Sequence, residues 1–252
     1  MAIGDYAFGY NLEAYKNGNV KIMHRFNFDN HTHILLTGGT GSGKSYALLY
    51  LLGSMIVNNP GIRIYFCDFK NISFKKFEGY PYYFSGDSVY EGVMQYYEEF
   101  TKARKSGKND TRHLLIIDEY PALLNYLQTK DKTHAKEVMA AVSEILMLAR
   151  GLFFGCLITT QRADSTWFMN GSRDNFQIIC ALGRLSKEQR LMLLNGEIID
   201  DSYIFGKGEG ILLADGQALK YVKFPKIDTE EFEKNIKHIL MSNTGREEIE
   251  LF

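Results

Sequence analysis

"HILLTGGTGSGKSYALLYLL", residues 33–52, decides the fold. A short apolar run, read as a strand over 33–37, leads into Gly38-Gly39-Thr40-Gly41-Ser42-Gly43-Lys44-Ser45, and an apolar helical pattern over 43–58 follows. The eight residues fit G-x-x-x-x-G-K-[ST], and strand, loop, helix is the setting that pattern needs. Successive backbone N–H groups at a helix N-terminus form a concavity that stabilises an anion. Glycines let the chain turn there and approach a phosphate with no Cβ in the way. The segment Gly38, Gly39, Thr40, Gly41, Ser42, Gly43, Lys44, Ser45 and Tyr46 is therefore the candidate nucleotide-binding set. Lys44 reaches the β and γ phosphates, and the Ser45 hydroxyl is a ligand for Mg²⁺.

A phosphate loop that works on a triphosphate needs a carboxylate at the tip of another buried strand. "LLIIDE", 114–119, supplies Asp118 as the second metal-site residue and Glu119 beside it. A carboxylate in the second place orients and deprotonates an attacking water, a task that transfer to a kinase substrate does not require there. "LITTQR", 157–162, ends a further apolar run on Gln161, an amide placed to hydrogen-bond the γ-phosphate or the water.

The remaining chain alternates apolar runs with helical patterns, which predicts an α/β fold with a mainly parallel sheet flanked by helices. Strands are expected at 33–37, 62–67, 113–117, 153–160 and 177–182, and their near-continuous apolar character says both faces are covered. Helices fit 43–58, 87–104, 134–149, 186–194 and 228–241. Val138, Val142, Ile145 and Leu148 recur at helical steps and predict one buried stripe. Residues 1–30 read as a small β extension, 31–205 as the core, and 206–252 as a hairpin turning near Asp215-Gly216 followed by a terminal helix. One domain of 252 residues is expected, and the tail 243–252 is either without regular structure or a short docking segment.

Composition narrows the class. With 45% hydrophobic residues and 13% aromatics the chain fills a large core, and a net charge of -1 gives no global field toward nucleic acid. Cys67, Cys156 and Cys180 are odd in number, lack metal-site spacing, and sit in apolar runs, as reduced core thiols do. The N-terminus has no secretion signal, and the longest apolar segment, 47–57, has 11 residues against the roughly 18–20 that span a bilayer. A cytoplasmic protein without a membrane segment is expected. "LSKEQR", 185–190, resembles the signature of transporter ATPases but follows Asp118 and lacks the glycines. The charged stretch 102–112 reads as a solvated loop.

Taken together, residues 33–45, "LIIDEYPALL" (115–124) and "LITTQRAD" (157–164) resemble the FtsK and HerA superfamily of ring-forming, DNA-pumping ATPases. The likeness covers about 30–185, and "DEYPALL" with "SRDNF" (172–176) is similar to the FtsK-type proteins of Gram-positive conjugative elements. The resemblance implies a RecA-like P-loop NTPase core in a hexameric ring, ATP and Mg²⁺ at subunit interfaces, and double-stranded DNA through the middle. It makes Gln161 the sensor residue and gives two channel loops, 128–133 and 164–172, with Lys130, Lys132, Ser165 and Thr166 as DNA-binding candidates. Backbone contacts of that kind are independent of sequence and salt-sensitive. An arginine from the next subunit would complete each site, with Arg150 matching a family arginine and Arg173 as second candidate. Trp167 is expected to pack within its own subunit. The membrane segments and DNA-reading winged-helix domain of the cell-division members are not found in these residues, so a stand-alone motor beside a relaxase or replication protein is expected. Viral genome packaging, conjugation coupling and a nucleotide-dependent DNA clamp share the same motifs.

Overall fold

In the computed structural model, residues 3–194, 197, 199 and 203–243 are described, and the tail 244–252 lies outside them. The first helix and strand flank the glycine loop as expected: β3 (His33–Gly38) runs into it and α2 (Lys44–Asn58) leaves it. β4 (Arg63–Asp68), β6 (His113–Asp118), β7 (Phe154–Thr160) and β8 (Ile178–Leu182) are the other expected core strands. All pair in parallel, and a strand not anticipated, β5 (Tyr83–Ser85), extends that edge.

Outside the parallel part, β1 (Asp5–Asn11) and β2 (Met23–Asn27) enclose a short helix, α1 (Leu12–Gly18), that the Asn and Gly turns of the region did not suggest. Asn11 caps this helix by accepting from the Ala14 N–H, and Asn19 ends it in the left-handed region. The expected hairpin is β9 (Glu209–Ala214) and β10 (Lys220–Lys223). It joins the two ends of the chain, because β10 pairs with β1 and β9 pairs antiparallel with β8. Among the described residues the result is one sheet of ten strands, in the order β2-β1-β10-β9-β8-β3-β7-β6-β4-β5. The β extension therefore belongs to the main sheet, since a two-stranded ribbon alone is marginal in water.

Side chains alternate across the parallel strands and fill a separate core on each face. Ile34, Leu36, Ile64, Phe66, Leu114 and Ile116 face one core, and Leu35, Tyr65, Cys67, Leu115 and Ile117 face the other. α2 and α7 (Thr229–Asn243) cover the first face. The second is covered by α3 (Val89–Ser106), α4 (Tyr120–Lys130) and α5 (Lys132–Leu148). The three cysteines are buried and free, and burial pushes their thiols up. No helix of the described residues is long and apolar enough to cross a membrane.

Two expectations are corrected. Leu148 is 48% exposed, so it leaves the buried stripe of α5, which continues past Ile145 through Leu146 to Ala149. Residues 128–133 form no loop: α4 runs through Lys130 and α5 begins at Lys132, with Asp131 alone at the corner, its carboxylate accepting from the Thr133 N–H at 2.7 Å. The loop was implied by the family resemblance alone, whereas Leu123, Leu124 and Leu127 bury a helical face leading into that segment. The helix expected over 186–194 is present: within "LSKEQR", Ser186 and Gln189 form a capping box at the head of α6 (Lys187–Leu193).

α7 sits directly over α2, where a Cβ on Gly53 would lie 2.5 Å from the Phe232 ring. Gly53→Leu is expected to destabilise the protein by about 1–3 kcal/mol through overpacking, read as a lower denaturant midpoint. An unchanged midpoint would show that α7 is not held against α2.

Candidate functional site

The phosphate loop is shaped by what surrounds it. A Cβ on Gly38 would lie 2.6 Å from both the Leu182 carbonyl oxygen and the Ser42 Oγ, so only glycine fits against β8. Gly43, at φ 102°, heads α2, and a Cβ there would lie 2.9 Å from the Gly208 nitrogen. That nitrogen donates to the Ser42 carbonyl at 2.8 Å, so the segment before β9 braces the loop from outside. Tyr46 is held in the same way. Its hydroxyl donates to the Pro225 carbonyl at 2.8 Å and accepts from the Ile227 N–H.

A cleft of about 490 Å³ opens on this loop. Gly39, Thr40, Gly41, Gly43, Lys44, Ser45 and Tyr46 form one wall. Lys70, Ser73, Glu119 and Gln161 face them, with Lys207, Thr229 and Glu233 from the C-terminal segment. The expected pieces of Lys44, Ser45, Glu119 and Gln161 thus share one cavity.

Charge is concentrated at its floor. Lys44, buried, donates to the Gly38 carbonyl at 2.6 Å and lies 3.5 Å from Glu119 Oε1. Lys70 Nζ lies 3.6 Å from Glu119 Oε2. Glu119 begins α4 in the left-handed region, at φ 57° and ψ 51°, a conformation that costs a residue with a side chain about 1–2 kcal/mol. Thr159 ties the pair together: its hydroxyl donates to Asp118 Oδ1 at 2.6 Å and accepts from the Glu119 N–H at 2.9 Å. Burial raises the Asp118 carboxyl to about 6, the Thr159 bond opposes that rise, and the carboxylates of Asp68 and Glu119 add to it.

Sequence reasoning missed several of these groups. Asp68 ends β4 in register with Asp118, and it is fully buried. It lay in plain view at the end of an expected strand, followed by Phe-Lys-Asn. Thr159 sits two residues before Gln161 and becomes visible as a partner only once β6 and β7 are neighbours. Lys70 and Ser73 come from the loop after β4, and nothing in their spacing announced them.

Ser45 and Asp118 offer the hard oxygen donors that Mg²⁺ takes. Among the described residues no group of three or more His, Cys, Asp or Glu side chains could hold a metal unaided. The fit is therefore to an ion shared with phosphate oxygens, beside a buried Asp118 whose hydrogen bond comes from a neutral hydroxyl.

The expected arginines lie elsewhere in the subunit. Arg150 is exposed just before β7. It is close enough to His33, the first residue of β3, to add to the burial that lowers that imidazole to about 3. That is the end of β3 opposite Gly38. Arg173 is half-buried and donates to the Ala163 carbonyl at 3.2 Å. Lys130 and Lys132 are exposed at the α4–α5 corner, with Lys130 over the Tyr126 ring. Ser165 and Thr166 are exposed after β7, where Thr166 donates twice to Asp164 Oδ1. Trp167 is half-buried and packs against the second core.

The FtsK/SpoIIIE family profile matches residues 12–200, which include every strand of the parallel part of the sheet and Asp68, Asp118 and Glu119. The chain belongs to the FtsK/SpoIIIE family. Within it, the chain is similar to "Ftsk domain-containing protein YdcQ" of Bacillus subtilis (strain 168), at 24% identity across 91% of this chain and 51% of that protein. It spans about half the length of that curated relative. Among solved structures it is similar to the monomer form of the pCW3 conjugation coupling protein TcpA with ATPγS, with TM-score 0.72 and 20% identity over 94% of this chain and 70% of that one. EssC (ATPases 2 and 3) from Geobacillus thermodenitrificans superposes with TM-score 0.68 at 14% identity, over 97% and 50% of the two chains. The genome packaging NTPase B204 from Sulfolobus turreted icosahedral virus 2, in complex with ATPγS, gives 0.51 at 18%, over 80% and 100%. At such identities these structures speak to the fold, a RecA-like P-loop architecture, and the expected fold class stands.

The raised Asp118 carboxyl has a consequence for the FtsK/SpoIIIE site. A group whose folded value, about 6, exceeds its ordinary 3.8 binds its proton more tightly when folded. It therefore lowers stability as pH rises through that window and exacts the full cost above it. Asp118→Asn keeps an acceptor for Thr159 and removes the charge. It is expected to raise the stability of nucleotide-free, EDTA-treated protein by on the order of 2 kcal/mol at pH 7.5 and by little near pH 3.5. Thermal melts at the two pH values check this, and a lower melting temperature at pH 7.5 would contradict it.

Proposed function

We propose that this chain is an ATP-hydrolysing motor of the FtsK type that assembles into a ring and moves double-stranded DNA. The observation that carries the reading is the meeting of Lys44, Ser45 and Glu119 in one cleft, with Asp118 bound to the same Thr159 hydroxyl as the Glu119 backbone. The backbone of 38–45 cradles the phosphates and Lys44 neutralises them. Ser45 and Asp118 would hold Mg²⁺, which supplies charge neutralisation at the phosphate oxygens when bound.

Glu119 takes the proton of a water whose oxygen attacks the γ-phosphorus, while the bond from that phosphorus to the bridging oxygen breaks and leaves ADP and inorganic phosphate. Gln161 at the cleft rim is placed to orient that water or sense the γ-phosphate. Lys207, Thr229 and Glu233 close the far side, where the nucleoside would extend. Arg150, remote from its own cleft, suits a role at a neighbour's site, with Arg173 as the second candidate. In a ring, the exposed Lys130 and Lys132 at the helix corner, together with Ser165 and Thr166, would face DNA phosphates. Such contacts reconcile DNA work with a net charge of -1. The likeness to TcpA, a conjugation coupling protein, and B204, a genome packaging NTPase, supports a motor for mobile or viral DNA, and a setting beside a relaxase or replication protein fits that reading.

ATP turnover of the purified protein, with and without duplex DNA and alongside its mass in solution, tests the reading. Duplex is expected to stimulate turnover several-fold in an assembly larger than a monomer, with displacement of a triplex-forming strand. Lys44→Ala is expected to lose nucleotide binding or turnover. Glu119→Gln is expected to keep nucleotide and lose turnover by about 10²–10⁴-fold. Normal hydrolysis by Glu119→Gln would remove it as the base, and an enzyme indifferent to DNA and monomeric throughout would end the motor reading. Nucleotide-dependent DNA retention without strand displacement would identify a clamp.

A further inference from the structure

Two ammonium groups hold Glu119, and only one of them belongs to the phosphate loop. Lys44 Nζ lies 3.5 Å from one carboxylate oxygen and Lys70 Nζ lies 3.6 Å from the other. On the hydrolytic reading above, Lys44 must turn to the β and γ phosphates when a triphosphate arrives. Glu119 then loses a counter-charge in a region where Asp118 is buried next to it and Asp68 ends the adjacent strand. A carboxylate left alone there would swing toward any cation within reach and away from the water it must meet. Lys70 is the cation that stays.

The loop carrying Lys70 is built to hold it in place. Asp68, fully buried, accepts from the backbone N–H of Asn71 at 3.1 Å, from the N–H of Phe74 at 3.3 Å and from the Tyr83 hydroxyl at 3.0 Å. Asn71 turns the chain in the left-handed region, at φ 49°. The loop between these anchors presents two side chains to the cleft, Lys70 and Ser73, and Ser73 Oγ lies 3.4 Å from Ser45 Oγ. With its side chain 39% exposed and the Glu119 side chain 11% exposed, Lys70 bridges the solvent edge and the buried carboxylate. A surface lysine with no task would extend into water, because holding a long side chain in one geometry costs rotamer entropy.

We propose that Lys70 is a positioning residue for hydrolysis, holding the Glu119 carboxylate in line with the attacking water once Lys44 has engaged the triphosphate. The inference rests on the cleft being a hydrolytic site, and it adds a residue from the β4 loop to the set that the phosphate loop and β6 supply. Lys70 acts on the base rather than on the nucleotide, so its loss touches turnover and spares binding.

The test compares Lys70→Met and Lys70→Arg with the wild type, measuring the Kd of ATPγS, the Kd of ADP, the kcat of ATP hydrolysis and the thermal melt. Lys70→Met is expected to lower kcat on the order of 10- to 100-fold, the range a misplaced catalytic group gives. Both Kd values should stay within about twofold, since no phosphate contact is lost. Lys70→Arg should recover most of the turnover. In a Glu119→Gln background Lys70→Met should cost nothing more, because the two act as one unit. A selective loss of ATPγS affinity with kcat retained would overturn the inference by making Lys70 a γ-phosphate ligand. Losses that add to those of Glu119→Gln would also overturn it. So would a fall in melting temperature that tracks the lost turnover and is not relieved by arginine. Wild-type protein without turnover would bring down the hydrolytic reading and this inference together. Active wild type with an equally active Lys70→Met would bring down this inference alone.

Discussion

Three carboxylates at the tips of two adjacent strands have to coexist in a nearly dry place, and much of the site follows from how each is accommodated. Asp68 is satisfied by backbone N–H groups and a tyrosine hydroxyl, and in return it fixes a loop. Asp118 receives a single neutral hydroxyl and keeps a raised affinity for its proton. Glu119 is met by two lysines from different loops. Only the last arrangement can be exchanged for another without breaking the fold, because side-chain ion pairs of this length re-form with any suitable partner. On the proposed reading, the division is one between structure, metal affinity and chemistry among three like groups set by their surroundings.

The two ends of the chain contribute more than an envelope. β9 and β10 join the N-terminal strands to the parallel sheet, and the bend before β9 donates to the loop at Ser42. Pro225 and Ile227 hold the hydroxyl of Tyr46 in the first turn of α2, and α7 lies over Gly53 farther along the same helix. The helix that follows the phosphate loop is thus gripped at two points by residues 225–243. A displacement of α7 would be felt at the loop through rigid contacts.

How much was legible in the sequence depends on the range of the forces involved. The parallel strands, the helix after the loop and the Asp118-Glu119 pair were readable because apolar periodicity and local motif carry them. α1 escaped because its seven residues bury little beyond Leu12, and β5 because three residues show no period. The α4–α5 corner misled because the family resemblance implied a loop over 128–133, where Gln128, Lys130 and Lys132 are exposed polar residues at the meeting ends of two helices. Thr159, Asp68 and Lys70 became meaningful only with strand order, since each acts on a residue 40 or more positions away or on a neighbouring loop. Lateral pairing in a parallel sheet leaves no mark in the linear text, which is why the motif residues were found and their supporters were not.

The loop around Gly38 and Gly43 is wedged between β8 and the bend before β9, so its shape is set by contacts within the chain itself. On the proposed reading, a cradle shaped by its own neighbours spends little conformational freedom on capture, and its backbone N–H groups meet phosphates that a diphosphate and a triphosphate share. On that reading, telling fuel from spent fuel falls to the few side chains free to change partners, and a rigid cradle becomes useful to a machine only when something movable stands opposite it.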